Sequence, residues 1–132
     1  MLLSDVILLY NIYTMLNKKY RFHSRGGVRY VYQKGKTVRS PKMSLVFAPN
    51  SRGFTRMAVV VSKKVLKTAV GRNRIRRRVY EVLRKNIDLI PKETDYIFVV
   101  FSKDVIDMPF NELEKLLGEL VAEAKVCYNK EN

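Results

Sequence analysis

Acidic residues are almost excluded from one half of this 132-residue chain. Between Lys18 and Lys85 there are 21 Lys and Arg against one acid, Glu81, whereas Asn86 to Asn132 carries 5 Lys and Arg against 10 acids. One end is a polycation and the other mildly acidic. A folded domain that gathers so much charge of one sign repels itself, and a polyanionic partner relieves that repulsion; nucleic acid is the first candidate. Solubility alone would not require Asp and Glu to be missing from so long a stretch.

The length fits one domain with one core, and an apolar content of 47% allows a soluble globule. The lone cysteine, Cys127, can form no internal disulfide, which makes a reducing, cytoplasmic setting the default. Residues 1–14 form an apolar extension (Leu2, Leu3, Val6, Ile7, Leu8, Leu9, Ile12) ahead of a single domain at 15–132. The stretch has no basic leading region or small-residue cleavage site, and it is shorter than the roughly 18 apolar residues of a spanning helix. It reads either as an extra packing helix or as sequence upstream of a true start at Met15. The polycation and every later motif begin after Met15, which favours the second.

Hydrophobic periodicity gives the elements. Ser24 to Gln33 reads as a short helix with Ser24 as N-cap, Val28, Val31 and Tyr32 on one face and Gly35 as its stop. Met43–Ala48 and Phe54–Ser62 read as strands joined by a turn at 49–53, which suggests a hairpin. Thr68 caps a helix reaching about Asn86, with Ile75, Val79, Val82 and Leu83 on one stripe and Asn73, Arg77, Tyr80 and Arg84 opposite. Asp95–Phe101 is a near-continuous apolar run, as expected of a strand covered on both faces. Leu113, Leu116, Leu117, Leu120, Val121 and Ala124 mark a last amphipathic helix, entered through Pro109 and a capping box from Asn111 to Glu114. The order α-β-β-α-β-α, with room for one further short strand, defines a two-layer α/β sandwich.

Within the second of these helices lies the densest chemistry. Arginines at 72, 74, 76, 77 and 78 point in almost every direction around it. Like charges three and four residues apart cost roughly 0.2–0.5 kcal/mol per pair, so the cluster is tolerable when phosphates neutralise it. The guanidinium fork matches phosphate oxygens and guanine edges. A solvated face would mix Glu with Lys, and only Glu81 is present.

Ser62-Lys63-Lys64, Ala69-Val70 and then Arg72-Asn73-Arg74-Ile75-Arg76-Arg77 resemble the "RNR" signature of the bacterial ribonuclease P protein family. Upstream, Tyr30-Val31-Tyr32-Gln33-Lys34-Gly35 is similar to the family's helix-end pattern, and the likeness spans roughly Lys18 to Tyr128. The resemblance implies a cytoplasmic ribonucleoprotein subunit that binds a catalytic RNA and precursor tRNA and assists removal of the 5′ leader. It implies magnesium held mainly by the RNA, no catalytic residue on the protein, no membrane and no obligate protein partner. By position, Arg72, Asn73, Arg74, Arg76 and Arg77 should face the RNA with Lys63 and Lys64 beside them, and Arg78 belongs to the same cluster. Val28, Tyr32 and Val46 fall where the family forms a cleft for the single-stranded leader. A left-handed crossover between the strands near Val60 and Phe98 is also implied, against the usual right-handed preference. Three departures stand out: an extra residue between Lys64 and Ala69, Tyr80 near the place of a usual arginine, and valines at 28 and 46 in place of aromatics. Arg84, two turns beyond Arg77 on the same face, is placed to supply the phosphate contact missing at Tyr80, which would then stack on a base or ribose.

Other candidates are weaker. His23, the only histidine, has no evident positioning partner and reads as a surface residue or phosphate contact. Gly35-Lys36-Thr37 resembles the end of a phosphate loop, but Tyr30 stands where the first glycine is needed. Asp95, Asp104 and Asp107 have no two-metal spacing and read as caps of the strand and the following helix. Phe47, Phe98 and Phe101 read as core. Deletion of residues 1–14 is expected to leave folding and activity intact; a large fall in melting temperature would show that they pack into the core.

Overall fold

The computed structural model describes residues 25–50 and 53–129. Residues 1–14, Met15, His23 and the N-cap proposed at Ser24 lie outside them. Helix α1 spans Arg25–Lys34. It stops at Gly35, whose N–H donates to the Val31 carbonyl at 2.7 Å. Only glycine permits this stop: a Cβ there would stand 2.4 Å from the Val31 oxygen and 2.6 Å from the Phe47 oxygen, both backbone atoms that cannot step aside.

Strand β1 (Lys36–Arg39) is the further short strand, and it forms the hairpin with β2 (Met43–Pro49). Ser40 closes the turn. Its Oγ donates to the Met43 carbonyl at 2.7 Å, and its N–H donates to the same oxygen at 2.9 Å. Next come β3 (Arg56–Val61), α2 (Ala69–Lys85), β4 (Thr94–Val100) and α3 (Phe110–Asn129). Short 3₁₀ turns at Ile87–Leu89 and Lys103–Ile106 flank β4.

The sheet order β1-β2-β4-β3 corrects the expected β2–β3 hairpin. β4 lies between them, antiparallel to β2 and parallel to β3. The reason is burial: every β4 residue except Val99 is buried, so β4 cannot sit at an edge, where one row of backbone groups faces water. Sequential neighbourhood favoured the hairpin, and the demand for two pairing partners overrode it.

One sheet face carries the main core. Met43, Leu45, Phe47, Met57, Val59, Val61, Tyr96, Phe98 and Val100 meet the Ile75–Val79–Val82–Leu83 stripe of α2 and Leu113, Leu117, Leu120 and Ala124 of α3. Thr68 caps α2 as expected, its hydroxyl accepting from the Gly71 N–H at 3.2 Å. The capping box at Asn111 does not form, because α3 begins at Phe110 and Asn111 already lies within the first turn. Glu114 instead accepts from Asn86 Nδ2 at 2.9 Å, joining the end of α2 to α3.

The opposite face is smaller. Val46, Ala48, Ala58 and Ile97 are covered by Val31 of α1, with Val28, Val60 and Val99 partly buried at the margin. Arg56 and Asp95, register partners across β3 and β4, lie at one end of this face. The carboxylate accepts from Arg56 Nε at 2.9 Å and Nη2 at 2.7 Å, and from Asn50 Nδ2 at 2.8 Å. Asp95 therefore locks the parallel pair rather than capping a strand. Ser102, not an aspartate, caps the turn at Lys103–Ile106, accepting from the Asp104 N–H at 3.2 Å.

The Asp95 side chain is 4% exposed and that of Arg56 16%, so removal of one partner leaves a charge in a poorly hydrated place. Asp95→Ala is expected to lower unfolding stability by about 3–5 kcal/mol, and the double variant Arg56→Met/Asp95→Leu by much less. Urea unfolding of both decides it; equal losses would show that the contact geometry, not the unpaired charge, carries the cost.

Candidate nucleic-acid interface

Helix α2 distributes its arginines by angle. At about 100° per residue, with the buried Ile75 taken as inward, Asn73, Arg77 and Arg84 point almost directly outward, and Arg72 and Arg78 lie on the two flanks. Exposure follows that order: Asn73, Arg74, Arg77 and Arg84 are exposed, while Arg72, Arg76 and Arg78 are half-buried.

The flank arginines bond to the protein itself. Arg72 Nη1 donates to the carbonyls of Leu66 at 3.0 Å and Lys67 at 2.9 Å, tying the turn that carries Lys63 and Lys64 to the first turn of the helix. Gly71 makes room for this: a Cβ there would meet Leu66 Cδ2 at 2.3 Å. Arg76 Nη1 donates to Asn73 Oδ1 at 2.7 Å. Arg78 differs from its place in the sequence-derived cluster. Its Nη1 donates to the carbonyls of Val105 at 2.7 Å and Ile106 at 2.9 Å, and its Nη2 to that of Met108. Its guanidinium is turned onto the orphan carbonyls of a 3₁₀ turn, away from the outward face, because those acceptors would otherwise be desolvated without donors.

The outward cations are different. Lys63, Lys64, Arg77 and Arg84 are exposed and make no hydrogen bond or ion pair with any described residue. Arg74 approaches Asp107 at 4.0 Å with both side chains well exposed, a pair worth little in water. Tyr80 does not stand free between Arg77 and Arg84 as expected. It is half-buried and packs against the main core, its ring finding apolar partners at the edge of the α2 stripe.

The smaller sheet face forms the second part of the surface. Val28 is partly buried against it, and Tyr32, at 45% exposed, stands at the margin of α1, where desolvation pushes its pKa above the ordinary tyrosine value. Val46 does not line an open groove. It is 6% exposed and forms the floor beneath Val31. Phe47 and Phe98 are core, but Phe101 is 52% exposed. Its N–H donates to the Lys42 carbonyl at 2.9 Å, so β-pairing continues one residue past β4, and the period-2 alternation of Asp95, Ile97 and Val99 puts Phe101 on the α1 side of the sheet. The apolar run alone concealed this, since its last residue has the same composition as its buried ones.

A four-stranded mixed sheet with two helices on one face and one on the other, bearing a helix whose outward cations have no described counter-charge, defines a small basic α/β protein with a cationic helix face. The chain belongs to the ribonuclease P protein family, whose model, described as Ribonuclease P, matches residues 16–125. It is 36% identical over 109 residues to the ribonuclease P protein component of Chloroflexus aurantiacus, covering 83% of this chain and 80% of that one. Among solved structures it is similar to the RNase P protein of Staphylococcus aureus, with a TM-score of 0.71, 26% identity and coverage of 81% of this chain and 96% of that one. It is also similar to that of Thermotoga maritima, with a TM-score of 0.70, 25% identity and coverage of 76% and 94%. Membership assigns the chain to the protein component of an endoribonuclease of tRNA processing.

Proposed function

We propose that the outward face of α2, with Lys63 and Lys64 beside it, binds the catalytic RNA of ribonuclease P, while the margin between α1 and the sheet receives the 5′ leader of precursor tRNA. The observation that carries this reading is the set of exposed cations, Lys63, Lys64, Arg77 and Arg84, that have no partner among the described residues. Arg77 and Arg84 stand two turns apart, about 10 Å, on one face of the helix, and a face that gathers cations without counter-charges attracts a chain of phosphates. Asn73 and Arg76, already bonded to each other, would present a fixed donor set on the same side. Tyr32, Val28 and Phe101 offer apolar and aromatic surface on which single-stranded bases can stack.

The protein itself contributes no catalytic group in this reading. Among the described residues no three of His, Cys, Asp and Glu converge into a metal-binding group, and Asp95 is committed to Arg56. Magnesium belongs to the RNA of the holoenzyme, where it would activate water and stabilise the leaving oxygen. Among the described residues no helix is long and apolar enough to cross a membrane. Family membership and the lone cysteine support a cytoplasmic ribonucleoprotein subunit, and no obligate protein partner is expected.

The reading is tested by assembling the full chain with ribonuclease P RNA and precursor tRNA at low magnesium, beside each component alone. Cleavage at the leader junction is expected with the RNA and to be strengthened by the protein; cleavage by the protein alone would overturn it. Arg77→Ala and Arg84→Ala are each expected to weaken binding to the RNA by about 1 kcal/mol or more and to reduce the salt slope by roughly one counterion. A slope unchanged in both would remove α2 from the RNA interface.

Tyr32→Ala is expected to weaken precursors with long leaders by about 1–3 kcal/mol, the range for a lost base stack, and to leave mature tRNA nearly unaffected. An equal loss for both ligands in a binding titration would take Tyr32 out of the leader site.

A further inference from the structure

Arg78 lies inside the basic run but is bonded to the protein through both terminal nitrogens. We infer that Arg78 is a positioning residue: by clamping the Val105–Met108 backbone it sets the rotation of α2 about its own axis, and so the direction in which Asn73, Arg77 and Arg84 face the RNA. The inference rests on the proposed RNA-binding role of that face.

The geometry is that of a helix held from both sides. Arg72 and Arg78 lie three residues before and after Ile75, about 60° to either side of it on the helical wheel. Arg72 holds the preceding turn through a single nitrogen, at Leu66 and Lys67. Arg78 holds the segment that leads from β4 into α3. That segment is itself anchored, because Val105 and Met108 are buried in the main core. The clamp therefore ties α2 to a fixed point rather than to a free loop.

An apolar stripe alone tolerates rolling, since hydrophobic contact is non-directional. A rotation of about 20° would carry a side-chain tip on the helix surface by about 2 Å, more than the whole range of good hydrogen-bond lengths. A fork of three bonds to fixed carbonyls resists such a roll. Lysine could not replace it, because an ammonium is a compact point charge without the planar fork.

The test measures affinity for ribonuclease P RNA as a function of salt, using full-length chains shown to be folded by circular dichroism at the temperature of the assay. Arg78→Ala is expected to bind several-fold to ten-fold more weakly than the parent with an unchanged salt slope, because no phosphate contact is lost. Arg78→Lys keeps the charge and is expected to be as weak as Arg78→Ala, and it covers the case in which the alanine variant does not fold. Arg77→Ala serves as the contrast, losing about one counterion from the slope. A slope reduced by one in Arg78→Ala, or an affinity restored by Arg78→Lys, would make Arg78 a phosphate contact and overturn the inference. Unchanged affinity in the folded Arg78→Ala protein would overturn it as well, leaving Arg78 a purely structural residue. If Arg77→Ala and Arg84→Ala fail to change the slope, the fault lies with the RNA-binding reading of α2 and not with the clamp.

Discussion

Strand β4 is buried along nearly its whole length and paired on both edges, so it needs a helical layer on each face and a strand on each side. β2 supplies one edge in antiparallel register and β3 the other in parallel register. A parallel neighbour cannot be reached by a tight turn, and the chain must cross over a face of the sheet between β3 and β4. The crossover is α2. The helix carrying the arginine cluster is thus laid over the sheet, packing mainly on β3, and its apolar stripe consists of the residues the sheet requires.

That arrangement also determines where the few acids serve. Asp95 meets Arg56 only because parallel pairing places them side by side. Asp104 and Asp107, beyond β4, approach Lys42 at 3.9 Å and Arg74 at 4.0 Å. Acids from the second half of the chain therefore answer cations of the first half at the fold's own contacts. The outward face of α2 receives little of this compensation. A surface left uncompensated while nearby cations are satisfied has a standing attraction for external anions.

The arginines of α2 divide accordingly. Arg72 and Arg78, on the flanks, find backbone carbonyls, Arg72 in the turn before the helix and Arg78 in the segment after β4. Arg77 and Arg84, on the outward side, find none among the described residues. Residues of one type within one short run thus hold different roles, and angle on the helix separates them. Tyr80 follows the same rule: its ring is long enough to reach back to the core edge from a position that spacing alone assigns to the outward side.

The existence and type of the main elements within the described residues were legible in the sequence, because hydrophobic periodicity and turn residues are local quantities. Thr68, Gly35 and the stripe Ile75, Val79, Val82 and Leu83 each acted where local chemistry indicated. Membership of the family was legible for the same reason, since its signature is a contiguous run. The β2–β4–β3 order, the Arg56–Asp95 lock, the inward turn of Arg78, the burial of Val46 and the exposure of Phe101 were not. Each depends on which residues distant in the chain become neighbours, and that follows from the demand of β4 for two strand partners and two covered faces. By itself the sequence determined what the elements are and that one helix is a polycation. The tertiary structure decided which of its cations the fold uses and which it leaves outward, because a hydrogen bond forms only where folding brings an acceptor within reach.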